Sequence, residues 1–267
     1  MAPVIAVIDY RKGNLASVTR GLADAGYDAR VTDSAADIRA ADGIVLPGVG
    51  AFADALDTME ELGQVEAVRE RVADGVPFLG ICLGLHLMTE WGDEGCPDGS
   101  RRSGLALAGG HVERVASVDD AGMRYKVPHV GWNSVCFTGR GGGAGSGAAA
   151  GSGAATGYED GAYEDGAYEG GAYDGDAYED GACDGGALSG CPLFEGVPDG
   201  SWFYFTHSYC VTGCPDEDVV ATTSHARRFT VAIQHGNAFG VQFHPEKSSS
   251  LGLKVLENFG QVVRSAS

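Results

Sequence analysis

Apolar and polar positions along the chain follow two alternating periods. VIAVID (4–9) is an unbroken apolar run of strand length, and NLASVTRGLADAG (14–26) spaces its apolar residues three and four apart before stopping at a glycine, the pattern of an amphipathic helix. ARVTD (29–33) and GIVLPG (43–48) read as further strands, FADALDTMEEL (52–62) and QVEAVRERVADG (64–75) as helices. Strand PFLGIC (77–82) and helix LGLHLMTEW (83–91) follow. Short apolar strands alternating with helices predict a parallel sheet covered on both faces. The second part is richer in strands: VPHVGWNSV (127–135), SWFYFTHSYCV (201–211), VVATTSH (219–225), FTVAIQHG (229–236) and AFGVQFH (238–244). A closing helix spans SSLGLKVLENFGQVVRS (249–265). The expected fold is one α/β domain, a mostly parallel central sheet with helices on both faces plus an antiparallel extension.

Composition changes this picture at one place. Residues 141–190 carry 17 of the 43 glycines, ten acidic residues and no lysine or arginine, and Tyr158, Tyr163, Tyr168, Tyr173 and Tyr178 recur every five residues. A five-residue period matches neither a helical nor a strand face, and the glycine content raises the entropy cost of ordering. The segment is expected to be a disordered acidic insertion, leaving 1–140 and 191–267 as a single domain. The net charge of −19 and a lysine count of four exclude nucleic acid and anionic membranes as partners and resemble the composition of proteins from salt-loving organisms. The start, MAPVIAVIDYRKGN, shows no basic leader with a long apolar region, so a cytoplasmic location is expected. Seven cysteines without CxxC pairs predict reduced thiols. Cys210 and Cys214 offer at most half of a metal site, so neither metal nor cofactor is expected.

The candidate chemistry centres on GICLG (80–84). A strand that turns into a helix within one or two residues, with glycines at 80 and 84, presents Cys82 as the G-x-S-x-G elbow presents its nucleophile. The helix start directs N–H groups at the sulfur, and the N–H of Leu83 is placed to hold an oxyanion. The competing reading is a buried core thiol. A base is offered by GVQFHPEKSS (240–249): in an extended segment His244 and Glu246 project from one face about 6.5 Å apart along the chain. The carboxylate would then set the imidazole tautomer. Of the other histidines, His86 is a pocket or core residue, His111 structural, His207 a residue of the cleft, and His225 and His235 solvated.

Together these stretches resemble the class I, triad-type glutamine amidotransferases. IDYRKGNLASV, LPGVGAF, GICLGLHLM, PHVGWN, FTHSY and GVQFHPEKSS carry the resemblance, in order, across nearly the whole chain outside the insertion. It implies a flavodoxin-like glutaminase domain with a Cys82–His244–Glu246 triad, an oxyanion donor at Val49, and Gly50, Ser208 and Tyr209 around the amino-acid end of glutamine. The match is closer to the branch serving histidine biosynthesis. This implies that ammonia passes to a separate (β/α)₈ cyclase subunit in a heterodimer, with YRKGN and PHVGWN, including Trp132, as candidate docking segments. Such a barrel needs ~250 residues, a length not left over in this chain. Two departures stand out: His86 occupies a position where the family often has glutamine, and the acidic residue beyond that helix, with Glu94 as the candidate, does not align cleanly. The alternatives are the glutaminase of pyridoxal phosphate synthesis, which PHVGWN and FTHSY argue against, and a catalytically silent regulatory module.

Overall fold

A computed structural model describes residues 3–139 and 190–267. The insertion expected at 141–190 lies, up to residue 189, outside the described residues. Strands β1 (Val4–Ile8), β2 (Asp28–Thr32), β3 (Gly43–Gly48) and β4 (Phe78–Cys82) alternate with helices α1 (Leu15–Asp24), α2 (Ala35–Ala40), α3 (Phe52–Glu61) and α4 (Gln64–Ala73). Helix α5 (Leu83–Leu87) follows β4 directly. Then come β5 (Trp91–Gly92), β6 (Arg102–Ser103), β7 (His111–Arg114), β8 (His129–Phe137), β9 (Ser201–His207), β10 (Tyr209–Thr212), β11 (Val219–His225), β12 (Arg227–His235) and β13 (Ala238–Val241), and α6 (Ser249–Ala266) closes the chain.

The sheet runs β2-β1-β3-β4-β13-β12-β10-β7-β5-β6, with β11 branching from β12 to β8 and β8 pairing β9. From β2 to β13 the neighbours are parallel, and from β13 onward the pairs with β12, β11, β10, β8 and β9 are antiparallel. The expected parallel sheet with an antiparallel extension is therefore what forms.

The two-residue alternation of strand side chains sorts the apolar residues into two cores, one on each face of the sheet. Ile5, Val7, Val45, Leu79, Ile81 and Val241 pack with Val18 and Leu22 of α1 and Val255, Leu256 and Phe259 of α6. Ile8, Ile44, Leu46 and Phe78 pack against Ile38 of α2, Leu56 and Met59 of α3, and Val65 and Val68 of α4. Strands buried on both faces need unbroken apolar runs, which is why β1, β3 and β4 read so clearly from sequence.

Three expectations are corrected. LGLHLMTEW is not one helix: α5 stops after five residues and Trp91 enters β5. His225, expected to be solvated, is half-buried: it stacks on His129 with ring centroids 4.3 Å apart, and its Nε2 donates to the Lys126 carbonyl oxygen at 2.8 Å. Cys136 is disulfide-bonded, so the thiols are not all reduced. No helix among the described residues is long and apolar enough to cross a membrane.

Candidate active site

The site begins at the carboxyl end of β4. Cys82 is the last strand residue and the first to leave the plane, with φ 53° and ψ −106°, a region that L-residues rarely adopt. The glycines on either side make this turn possible by absence of bulk. A Cβ on Gly80 would come within 2.5 Å of the Gly84 backbone, and one on Gly84 would overlap the Leu46 carbonyl oxygen. Because α5 has only five residues, its dipole acting on the sulfur is small; the Leu83 N–H remains as the local donor.

Strand register brings the other residues to the same edge. Gly48 of β3 pairs with Cys82, so Val49 and Gly50 follow immediately beside it. Val241 of β13 pairs with Ile81, so Gln242 and His244 emerge on the other side. From the end of β9, the Thr206 carbonyl accepts from Cys82 Sγ at 4.0 Å. The pocket over the thiol is lined by Val49, Gly50, Leu83, His86, Glu94, Thr206, His207, Ser208 and Tyr209. Thus every substrate-binding residue expected from sequence meets Cys82 there.

His244 and Glu246 lie beneath this pocket, with side chains only 3% and 2% exposed. The segment is not extended as expected: Pro245–Lys247 forms a 3₁₀ turn, which folds the carboxylate back until Oε1 sits 2.9 Å from His244 Nδ1. A straight strand would have held the two groups apart. Ser248 Oγ donates to the His244 carbonyl at 2.7 Å, and the His244 N–H donates to the Tyr204 carbonyl at 2.9 Å, fixing the base from behind. Nε2 is buried and makes no well-formed hydrogen bond among the described residues, yet Cys82 is its main polar neighbour. Burial disfavours the imidazolium, but hydrogen bonding and charge from Cys82 and Glu246 outweigh it and push the His244 pKa up to about 10. The raised value favours transfer of the thiol proton from Cys82 to the ring during attack.

Sequence reasoning left Glu94 unaligned, but the structure places it in the pocket wall. Burial raises its pKa to about 7, against the opposing Phe52 N–H, which donates to Oε2 at 3.3 Å. His86 is buried, and burial lowers its pKa to about 4. Its Nε2 lies 2.8 Å from Gln242 Oε1, and Gln242 Nε2 lies 3.7 Å from Cys82 Sγ. His207 donates from Nδ1 to the Tyr209 carbonyl at 2.7 Å, with His129 Nδ1 at 3.0 Å from its Nε2; burial keeps both rings neutral. Gln242 is not among the residues expected from sequence, and Tyr10, expected in the YRKGN docking segment, is instead fully buried. Tyr10 is fully buried below the turn after β3: a Cβ on Gly48 would overlap its hydroxyl, toward which the Val49 N–H is directed. Gln242 was hidden inside GVQFHPE, where it reads as one residue of an apolar strand. Among the described residues no group of three or more histidine, cysteine or acidic side chains is placed to hold a metal ion. Cys210 is a buried and Cys214 a half-buried thiol, and desolvation pushes both pKa values up to about 12.

A thiol at the end of a central parallel strand, with a buried imidazole–carboxylate pair from the neighbouring strand, is the equipment of an acyl-transferring hydrolase. Residues 6–140 and 170–262 match the family model "Glutamine amidotransferase class-I". The chain is 41% identical over 262 residues to "Imidazole glycerol phosphate synthase subunit HisH" of Moorella thermoacetica, covering 98% of this chain and 96% of that one. It is 36% identical over 259 residues to the protein of the same name from Symbiobacterium thermophilum, covering 97% and 94%. Among solved structures, PurLQS from Thermotoga maritima superposes with TM-score 0.57 at 13% identity, covering 99% of each chain, a likeness of fold. The chain belongs to the class I glutamine amidotransferases and, within them, to the family of HisH subunits of imidazole glycerol phosphate synthase.

Proposed function

We infer that this chain is the glutaminase subunit of imidazole glycerol phosphate synthase, hydrolysing glutamine to glutamate and ammonia through Cys82, His244 and Glu246. The observation that carries the reading is the buried His244–Glu246 pair, 2.9 Å apart, set beside a thiol held at a strained elbow. Glutamine enters with its side-chain amide over Cys82. Sγ attacks the amide carbon, and the resulting oxyanion is met by the N–H of Leu83 and that of Val49, the latter after its peptide turns away from Tyr10. The proton on His244 Nε2 passes to the departing nitrogen as the C–N bond breaks, leaving a glutamyl thioester and ammonia. Water then attacks the thioester with its proton taken by His244, and the C–S bond breaks to release glutamate and return the Cys82 sulfur, which recovers its proton. Glu246 keeps Nδ1–H oriented and offsets the imidazolium charge throughout.

At the other end of the substrate, Glu94 as carboxylate is suited to the α-ammonium group. Gly50, His86, Ser208 and Tyr209 line the rest of the pocket. The relatives are named as subunits, and the matching partner for this chain is a cyclase subunit that consumes the ammonia. A (β/α)₈ barrel in a heterodimer, working in the cytoplasm, completes the proposal. The antiparallel β8–β9 pair offers the docking face: Val130 and Trp132 are exposed, and Tyr204 lies opposite Trp132 in the register. The charged YRKGN loop stands beside the pocket, with Lys12 close to Gly50.

The test is glutamate release by the purified chain, alone and with the cyclase and its ribotide ligand, in wild type and Cys82→Ala. Ligand-stimulated release is expected from wild type only. Stimulated release that persists in Cys82→Ala would refute the assignment.

A further inference from the structure

The reaction scheme leaves one fully buried polar side chain in contact with the reacting atom unused. Gln242 is 0% exposed, and its amide lies between Cys82 Sγ at 3.7 Å and His86 Nε2 at 2.8 Å, with His86 itself only 3% exposed. We propose that Gln242 is a further catalytic residue, its side-chain N–H₂ donating to the Cys82 sulfur, and that His86 is the positioning residue that fixes the amide in that orientation. The inference rests on Cys82 being the nucleophile.

The argument is one of donor and acceptor matching. A thiolate accepts hydrogen bonds and donates none, so the amide must present its N–H₂ end to the sulfur and its oxygen to His86. The oxygen, buried, needs a donor of its own, and only a protonated Nε2 on His86 supplies one. A neutral imidazole has a single N–H, so Nδ1 is then an unprotonated lone pair. Nδ1 is buried and makes no well-formed hydrogen bond among the described residues, and the Tyr209 backbone faces the ring as the acceptor that the opposite tautomer would use.

Were the sulfur a thiol, every role could invert: S–H would donate to Oε1, the N–H₂ to Nε2, and the His86 proton would sit on Nδ1. The tautomer of His86 thus reports the charge on Cys82. The substitution noted from sequence also gains a reason. Histidine and the family's glutamine differ in shape but share an N–H that can satisfy the Gln242 oxygen.

The test is the pH dependence of Cys82 carboxamidomethylation by iodoacetamide on the full chain, followed by peptide mass spectrometry to separate Cys82 from the other thiols. Gln242→Met removes the donor at similar volume and should raise the alkylation midpoint by about one pH unit, the scale of a charge-assisted hydrogen bond. His86→Leu should move it the same way, and His86→Gln should restore the wild-type midpoint. An unmoved midpoint in folded Gln242→Met, or equal shifts in both His86 variants, overturns the proposal.

If Gln242→Met does not fold, nitrogen-15 spectra of histidine-labelled wild type decide. Nε2-protonated His86 above the Cys82 midpoint supports the proposal, and Nδ1-protonated His86 at every pH overturns it. Neither readout uses glutamine. Glutamate release by Cys82→Ala would therefore refute the glutaminase reading independently of these results.

Discussion

Replacing Cys82 by alanine or by glycine abolishes the thiol equally, so the difference between the two variants isolates the backbone. Alanine must keep φ 53° and ψ −106°, whereas glycine adopts such angles without a Cβ penalty. Residues held in such sparsely populated regions are strained by about 1–3 kcal/mol. Two effects oppose the relief in glycine. The buried methyl of alanine is lost, worth about 0.8 kcal/mol, and the unfolded glycine chain gains entropy worth about 0.4–1 kcal/mol. With no strain at the elbow, Cys82→Gly would therefore be about 1.5 kcal/mol less stable than Cys82→Ala. With about 2 kcal/mol of strain, glycine becomes the more stable variant by about 0.5 kcal/mol. The two outcomes differ by roughly 4–8 °C in melting temperature for a domain of this size. Matched urea and thermal unfolding of the two variants measures it. A glycine variant that melts several degrees below the alanine variant would refute the claim that the fold holds Cys82 under strain.

Other expectations follow from the same site. Glu94, raised to about 7 by burial, should bind the substrate ammonium only when ionised. The KM for glutamine should therefore rise as pH falls below about 7 while kcat changes little, and Glu94→Gln should raise KM and flatten that dependence; a KM independent of pH in wild type would contradict it. His244 has its folded pKa raised from 6.5 to about 10, so it contributes stability that is full below pH 6.5 and is lost as pH rises through 10. Glu246→Gln lowers that folded value, and urea midpoints measured from neutral to alkaline pH should begin to fall earlier than in wild type. Deleting residues 141–190 with a short linker should leave ligand-stimulated turnover nearly unchanged, whereas a collapse at equal folded protein would assign the tyrosine repeat a contact in function.

The parallel half of the fold was legible because strands buried on both faces and amphipathic helices leave opposite periodicities in sequence. GICLG and HPE were legible because each packs an unusual backbone requirement into a few residues. What the sequence hid depends on distance in space. The 3₁₀ turn that closes Glu246 onto His244 looked extended, since Pro245 fits either conformation. Helix α5 looked longer than five residues because LGLHLMTEW keeps helical spacing although the chain leaves to build β5. Gln242 has no sequence signal at all: its role comes from β13 lying beside β4. Glu94 was ambiguous for the same reason, since a loop reaches the pocket with no periodicity to align.

The strand register that gathers these residues also sets how much error the site tolerates. Cys82, Val49 and Gln242–His244 hang from three neighbouring strand ends, and their mutual positions are indexed by a ladder of backbone hydrogen bonds. Sliding β13 by a single residue against β4 would carry His244 about 3.3 Å along the sheet and turn alternate side chains to the opposite face. Such a ladder admits no intermediate setting, so the triad is assembled digitally, either fully aligned or absent. Fine adjustment of activity must then come from what is not on the ladder: the turn at Val49, the loop that brings Glu94, and whatever presses on them from outside.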